Sequence, residues 1–89
     1  MRAGLASFRH LVIGRRNRVA KSFVDYDRTE HPVGEAWRFD GHSFLPYDDG
    51  LSLFVTTDDG RSRQIRLRWT PEDQGSIVDA IEDHVRPFA

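Results

Sequence analysis

Four histidines are the side chains of this sequence best suited to bind a metal ion, because imidazole is the commonest metal ligand in proteins. They are His10, His31, His42 and His84. No two of them stand four residues apart or form a His-x-His pair, the spacings that place two ligands on one face of a helix or strand. The sequence therefore predicts no metal site.

A second candidate for chemistry is the phrase Asp-Asp-Gly, which occurs at residues 48–50 and again at 58–60. Paired carboxylates can act as general acid and base or bind calcium. Asp followed by Gly is also the composition of a tight turn, in which Asp hydrogen-bonds the turn backbone and Gly adopts the left-handed conformation. The serines lie in no nucleophile-elbow motif and the glycines form no phosphate-binding loop. We predict two turns, no enzymatic activity and no cofactor.

The elements that would carry these turns are strands, because apolar residues occupy odd-numbered positions in three successive runs. Such alternation predicts three antiparallel strands over residues 35–47, 51–57 and 61–69, each with one buried face. Gly41 is expected to mark a bend in the first of them. The buried face is predicted to carry Trp37, Phe39, Leu53, Leu67 and Trp69.

The predicted turns also fix the pairing of these strands. A three-residue loop at each Asp-Asp-Gly pairs Leu45 with Leu53 and Leu53 with Ile65, and it requires a positive φ at Gly50 and Gly60.

Elements on either side of the three strands complete the predicted fold. A further strand is expected over residues 19–26, followed by a polar loop over 25–34. Thr70 and Pro71 have the composition of a helix start, and a stripe of apolar residues at 77, 78, 81 and 85 predicts that this helix packs on the sheet. The predicted class is mainly β (α+β): a small SH3-like barrel or a curved antiparallel sheet of about four strands, with one C-terminal helix.

Charge divides the chain unevenly. Residues 1–24 contain six Lys and Arg and no acidic residue, whereas the remainder contains seven arginines and all 14 acidic residues. We therefore predict a basic N-terminal extension over residues 1–17, attached to one globular domain over 18–89. The extension is either disordered or helical over 7–16, since Leu5, Phe8, Leu11 and Val12 recur at the spacing of a helical apolar stripe. With no cysteine, no apolar run of membrane-spanning length and no signal peptide, we expect a soluble cytoplasmic protein with no membrane span.

The even-numbered face of the predicted sheet is not uniformly polar, and it supplies the candidate binding site. On the predicted register, Phe44 lies opposite Phe54. The first strand or the N-terminal segment could cover these two rings, as in a small barrel or two-layer domain, or they could form an exposed platform for a protein partner or for stacked bases. The candidate binding residues are Phe44, Phe54, Arg66, Arg68, Arg38 and His42.

Two phrases carry a family resemblance: GEAWRF at residues 34–39 and FLPYDDGLSLF at residues 44–54. Together with their flanks, over about residues 18–86, they resemble a family of small uncharacterised bacterial domains of unknown function. The resemblance implies no catalytic or binding residue. The leading hypothesis is a non-catalytic protein-interaction or regulatory module, with a protein partner or self-association and no small-molecule substrate. The alternative is nucleic-acid binding through the basic extension and the Arg/Phe face.

Overall fold

The computed structural model describes residues 7–88, which contain seven strands and two short helices. In chain order the elements are β1 Arg16–Val19, β2 Phe23–Val24, β3 Glu30–His31, β4 Ala36–Leu45, β5 Gly50–Thr57, β6 Ser62–Arg68, α1 Gly75–Asp79, α2 Ile81–His84 and β7 Val85–Pro87. Five strands form one antiparallel sheet in the order β6-β5-β4-β1-β7, and β2 pairs with β3 in a separate hairpin. The prediction of a mainly β domain is confirmed, although the sheet does not close into a barrel.

The core lies on one face of this sheet, where apolar side chains leave water together. Trp37, Phe39, Leu53 and Leu67 are all buried, and Trp69 is partly buried against them, so the predicted core face is confirmed. Side chains from outside the three predicted strands complete the core: Leu11, Val19, Phe23, Val78, Ile81 and Val85.

The second Asp-Asp-Gly turn is formed as predicted. Leu53 pairs with Ile65 and Leu51 with Leu67, and the turn at residues 58–60 is closed by a 2.8 Å hydrogen bond from the Thr57 N–H to the backbone oxygen of Arg61. Gly60 has φ +87°, the left-handed conformation that glycine adopts without strain.

The predicted register of the first hairpin is wrong. Phe39 pairs with Val55 but Gly41 pairs with Phe54, so Asp40 is an extra residue in a β-bulge. The loop also lies earlier than predicted, over residues 46–49 instead of 48–50, and together with the bulge this places Leu45 opposite Gly50 instead of Leu53.

Hydrogen bonds hold this bulge in place. Asp40 accepts bonds from Arg38 Nε at 2.9 Å and from the Thr56 hydroxyl at 2.5 Å. Gly41 takes φ +145° at the same point, which agrees with the bend predicted there.

The N-terminal segment contains no helix over residues 7–16, which corrects one of the two expectations for the extension. Phe8 and Leu11 exchange two backbone hydrogen bonds of 3.0 and 2.8 Å, and the Leu11 side chain is fully buried. Arg16 then begins β1, which pairs with β4. Residues 7–17 are therefore part of the globular unit rather than an extension, because Leu11 fills the core instead of forming a helical stripe. Residues 1–6 lie outside the described residues.

The C-terminal helix begins later than predicted. Residues 71–74 form turns, because the backbone oxygen of Thr70 accepts bonds from the N–H groups of Asp73 and Gly75. The Thr70 hydroxyl donates to Asp73 Oδ2 instead of capping the helix at residue 71. The helical segment is also split at Ala80 into α1 and α2, although Val78 and Ile81 are buried as expected.

The strand predicted over residues 19–26 is likewise interrupted. The N–H groups of Ala20 and Lys21 both donate to the backbone oxygen of His84, so the chain turns between β1 and β2. The predicted polar loop over 25–34 contains β3, which folds back on β2.

Candidate functional site

The predicted Phe44/Phe54 platform is not assembled in the structure. Beyond the bulge, His42 pairs with Leu53 and Phe44 pairs with Leu51, which places both on the core face of the sheet. Phe54 pairs with Gly41 and therefore lies on the opposite, outer face. Two physical causes act here. The extra residue at the bulge moves every later side chain of β4 to the other face, and the loop at 46–49 instead of 48–50 changes which residue of β5 lies opposite each of them.

Phe44 belongs instead to an aromatic cluster beside the core. Its ring meets Trp69 edge-on at 5.8 Å, and Phe8 contacts both Trp69 at 6.1 Å and His42 at 4.9 Å. The Arg9 guanidinium lies 5.3 Å from the centre of the Trp69 ring. The N-terminal segment therefore packs against His42 and Trp69 on the core side of the sheet, and Trp69 in turn contacts Phe44.

The predicted arginines are bound to acidic side chains of the same chain. Arg66 contacts Asp27 through two hydrogen bonds of 3.1 and 2.7 Å, which hold the pKa of the Asp27 carboxyl below its ordinary value. Arg38 bonds Asp40 at 2.9 Å, and Arg68 lies 3.9 Å from Asp73.

A groove of about 320 Å³ opens on the outer face, between the first hairpin and the loop after β2. Tyr26 forms one wall, and Arg66 lies 5.7 Å from its ring. Leu45 of the first hairpin also lines the groove. The full lining is Tyr26, Leu45, Asp48, Gly50, Leu51, Ser52, Gln64, Arg66, Leu67 and Arg68. Arg66 and Arg68 thus keep a place at a candidate site, without the phenylalanines.

Beside this groove, residues 44–47 form an exposed apolar segment that we call the hairpin tip. Phe44 is 37% exposed, Leu45 44% and Tyr47 84%, and Pro46 is exposed between them. Side chains of this kind are enriched at protein interfaces. The sequence carried a signal for this site, because four consecutive apolar residues directly before a turn cannot all face one core.

A buried polar group, which we call the His31 cluster, consists of Asp25, His31 and Glu35. His31 Nε2 lies 2.8 Å from Asp25 Oδ2, and His31 Nδ1 lies 2.6 Å from Glu35 Oε2. Trp37 Nε1 donates to the same Glu35 oxygen at 3.1 Å. His31 and Asp25 are only 7% and 4% exposed, and Phe23 stacks on the imidazole at 4.8 Å.

Both ring nitrogens of His31 are engaged, so neither is free to act as a base or a metal ligand. The sequence patterns did not predict this cluster, although His31 and Glu35 stand four residues apart. The tight turns that bring Asp25 and Glu35 to the same histidine were not predicted. Within residues 7–88, no group of three or more His, Asp or Glu side chains is arranged to hold a metal ion. The described helices also include none with the length and apolar character needed to cross a membrane.

Comparisons with other proteins place the chain among domains without an assigned activity. It is similar to a solved structure, the integron cassette protein VCH_CASS4 from the mobile metagenome of Vibrio cholerae, with 35% sequence identity and a TM-score of 0.90. The match covers 94% of this chain and 93% of that one. A search of curated proteins found no match. The family model of a domain of unknown function, DUF3601, matches residues 5–86, and the chain therefore belongs to the DUF3601 family.

Proposed function

We propose that this domain is a non-catalytic protein-interaction module that binds its partner through the hairpin tip and the adjacent groove. The exposure of Tyr47 carries this proposal. Its side chain is 84% exposed, and the other three residues of the hairpin tip are exposed and apolar as well. Such a projecting aromatic side chain fits an apolar pocket on a partner protein, where buried aromatic residues provide much of the binding energy.

The charges beside the groove favour a protein partner over nucleic acid. A nucleic-acid site needs arginines that are free to neutralise phosphates. Arg66 already binds Asp27 through two hydrogen bonds, and Arg68 is close to Asp73. Phosphate binding would have to break the Arg66 pair or bring phosphate oxygens close to the Asp27 carboxylate.

The His31 cluster supports the non-catalytic part of the proposal. A general base needs a nitrogen lone pair directed at the substrate, whereas both His31 nitrogens face carboxylate oxygens. The proposal includes a bacterial cytoplasmic setting, supported by the absence of cysteine from the chain and by the Vibrio cholerae origin of the similar structure.

Site-specific photo-crosslinking in bacterial cells tests the interaction. A photoreactive amino acid at Tyr47 should give a discrete crosslinked protein, and the same group at Val33 should not. Val33 is a suitable control because it is also an exposed apolar residue, at 63% exposure, but lies in a different loop. Equal crosslinking at both positions, or none at either, would contradict the proposal.

Binding of the purified crosslinked partner then provides the quantitative test. Tyr47→Ser should weaken binding at least about tenfold, the loss expected for a moderate hot spot, and Val33→Ser should leave it unchanged. Binding to mixed single-stranded DNA or RNA that weakens steeply with salt would instead support the nucleic-acid hypothesis.

A further inference from the structure

The hydrogen bonds of the His31 cluster require a proton on the histidine or on one of its neighbours. A carboxylate only accepts hydrogen bonds, so two carboxylates can both bond one imidazole only when its two nitrogens both carry hydrogen. His31 meets a carboxyl oxygen at each nitrogen, at 2.8 and 2.6 Å. With a neutral imidazole and two carboxylates, a nitrogen lone pair would face an oxygen lone pair at one of these buried contacts.

The cluster connects a short peripheral segment to the main body of the fold. Asp25 and His31 belong to the β2–β3 hairpin and its loop, whereas Glu35 precedes β4 and also accepts the indole N–H of Trp37. Asp25 in addition accepts the backbone N–H of Thr29 at 2.9 Å, which closes the loop between the two strands. Loss of the His31 contacts would therefore loosen the loop from the core.

The same loop covers the edge of the main sheet. β6 is an edge strand, and the backbone oxygen of Arg66 accepts a hydrogen bond from the N–H of Tyr26 at 2.7 Å. Asp27 binds the Arg66 side chain from the same loop. An edge strand offers backbone groups to any extended segment that reaches it, and natural proteins cover such edges with loops. Tyr26 also lines the groove, so the loop borders both the β6 edge and the groove.

We propose that the His31 cluster is a proton-dependent latch, which keeps the 25–29 loop on the β6 edge while His31 is protonated and releases it when rising pH removes that proton. This inference rests on the proposed function, since the uncovered edge belongs to the same surface as the hairpin tip. The released edge would accept an extended segment of the protein partner as an added strand.

Other charged groups near His31 act on it less directly. Asp27 and Arg63 line a cavity of about 150 Å³ next to the cluster, and Asp27 is already paired with Arg66. His84 is separated from His31 by the Phe23 ring, which it meets edge-on, and its Nδ1 lies 3.2 Å from the backbone oxygen of Lys21. Among residues 7–88, Asp25 and Glu35 are the side chains that contact the imidazole nitrogens, so a change in the protonation of His31 acts mainly on these two contacts.

Hydrogen exchange and nitrogen NMR on the isolated domain test the latch without any partner. The ¹⁵N shifts of His31 should show two protonated nitrogens while the loop is docked. Above the titration of His31, the exchange protection factor of the Tyr26 amide should fall by up to about tenfold per pH unit, the slope for release of one proton. His31→Gln should give a low protection factor that does not vary with pH. His84→Gln, which alters the other buried histidine, should keep the wild-type profile.

Two results would overturn the inference: a docked His31 carrying one proton, or a Tyr26 protection factor that stays constant while His31 loses its proton. Because these readouts need no partner, they are independent of the crosslinking result at Tyr47. Partner binding that tightens across the same pH range would add the predicted link to function. A latch that opens without any change in binding would contradict that link and leave the Tyr47 result intact.

Discussion

The two Asp-Asp-Gly hairpins have the same three residues and fold differently. In the second, the turn lies at residues 58–60 and Gly60 takes the left-handed conformation, at φ +87°. In the first, the left-handed residue is Asp49, at φ +55°, and Gly50 is the first residue of a strand. Local composition therefore favours a turn but does not select the residue that turns.

The difference arises from what surrounds each turn. The bulge at Asp40 and the loop at residues 46–49 together set Leu45 opposite Gly50. Asp48 Oδ1 then accepts the backbone N–H of Gly50 at 3.0 Å, and the backbone oxygen of Asp49 accepts the N–H of Trp69 at 2.8 Å. Thr57 and Arg61 pair directly across the second turn instead.

The largest change in stability is expected at Leu53, which belongs to both hairpins and pairs with His42 in one and with Ile65 in the other. Leu53→Ala should lower the free energy of unfolding by about 2–5 kcal/mol, because it leaves a cavity in the core under both hairpins. Urea denaturation measures the change. Ser43→Ala, on the outer face of β4, is the matched control and should change stability by less than about 0.5 kcal/mol.

Gly60 and Gly50 should respond differently to the same substitution. Gly60→Val should cost about 1–2 kcal/mol or more, because a β-branched residue tolerates a positive φ poorly. The environment leaves room for the side chain, since no atom lies within 4 Å of a Cβ at this position, so the cost comes from the backbone. An unchanged urea midpoint for Gly60→Val would show that the backbone is not strained there.

At Gly50 the constraint is space. A Cβ at this position would lie 2.8 Å from Asp48 Oδ1. In a double-mutant cycle, Gly50→Ala and Asp48→Ala should therefore be coupled by at least about 0.5 kcal/mol, whereas Gly60→Ala and Asp58→Ala should be additive within about 0.5 kcal/mol. Equal coupling in the two turns would remove the distinction between them.

The smallest effect concerns the ion pair that ties the second turn to β1. Arg16 bonds both carboxyl oxygens of Asp58, at 3.0 and 2.5 Å, and these bonds hold the pKa of Asp58 below its ordinary value. Since the folded state lowers this pKa, the stabilisation is complete above the ordinary aspartate range and is lost as the pH falls through the lowered value. Asp58→Asn should be slightly less stable than wild type at neutral pH and should match it in acid. A stability difference that persists in acid would contradict this assignment.

The alternation of apolar and polar residues predicted the strands and their core face correctly. It failed in β4, where one extra residue at the bulge interrupts the alternation. The strands, the core face and the Leu53–Ile65 register follow from a period of two. The bend predicted at Gly41 is present. The extra residue beside it was not predicted, because the bulge is held by contacts of Asp40 with Arg38 and with Thr56, and Thr56 lies 16 residues away in the sequence. The same limit applies to the candidate site, because the Phe44/Phe54 pairing relied on an unbroken strand. Leu11 resembled part of a helical stripe because periodicity cannot distinguish such a stripe from one anchoring side chain.

The bulge also determines how the domain should respond to insertions and deletions. Before Asp40 the odd-numbered residues of β4 face the core, and after it the even-numbered residues do. Removing Asp40 would therefore reverse the facing of every later residue of β4. The residues before Asp40 would keep their orientation, whereas Phe44 would turn toward solvent and Ser43 toward the core. We therefore expect deletion of Asp40 to reorient only the residues of β4 that follow it, because Asp40 is the position at which the core-facing residues change from odd to even numbers.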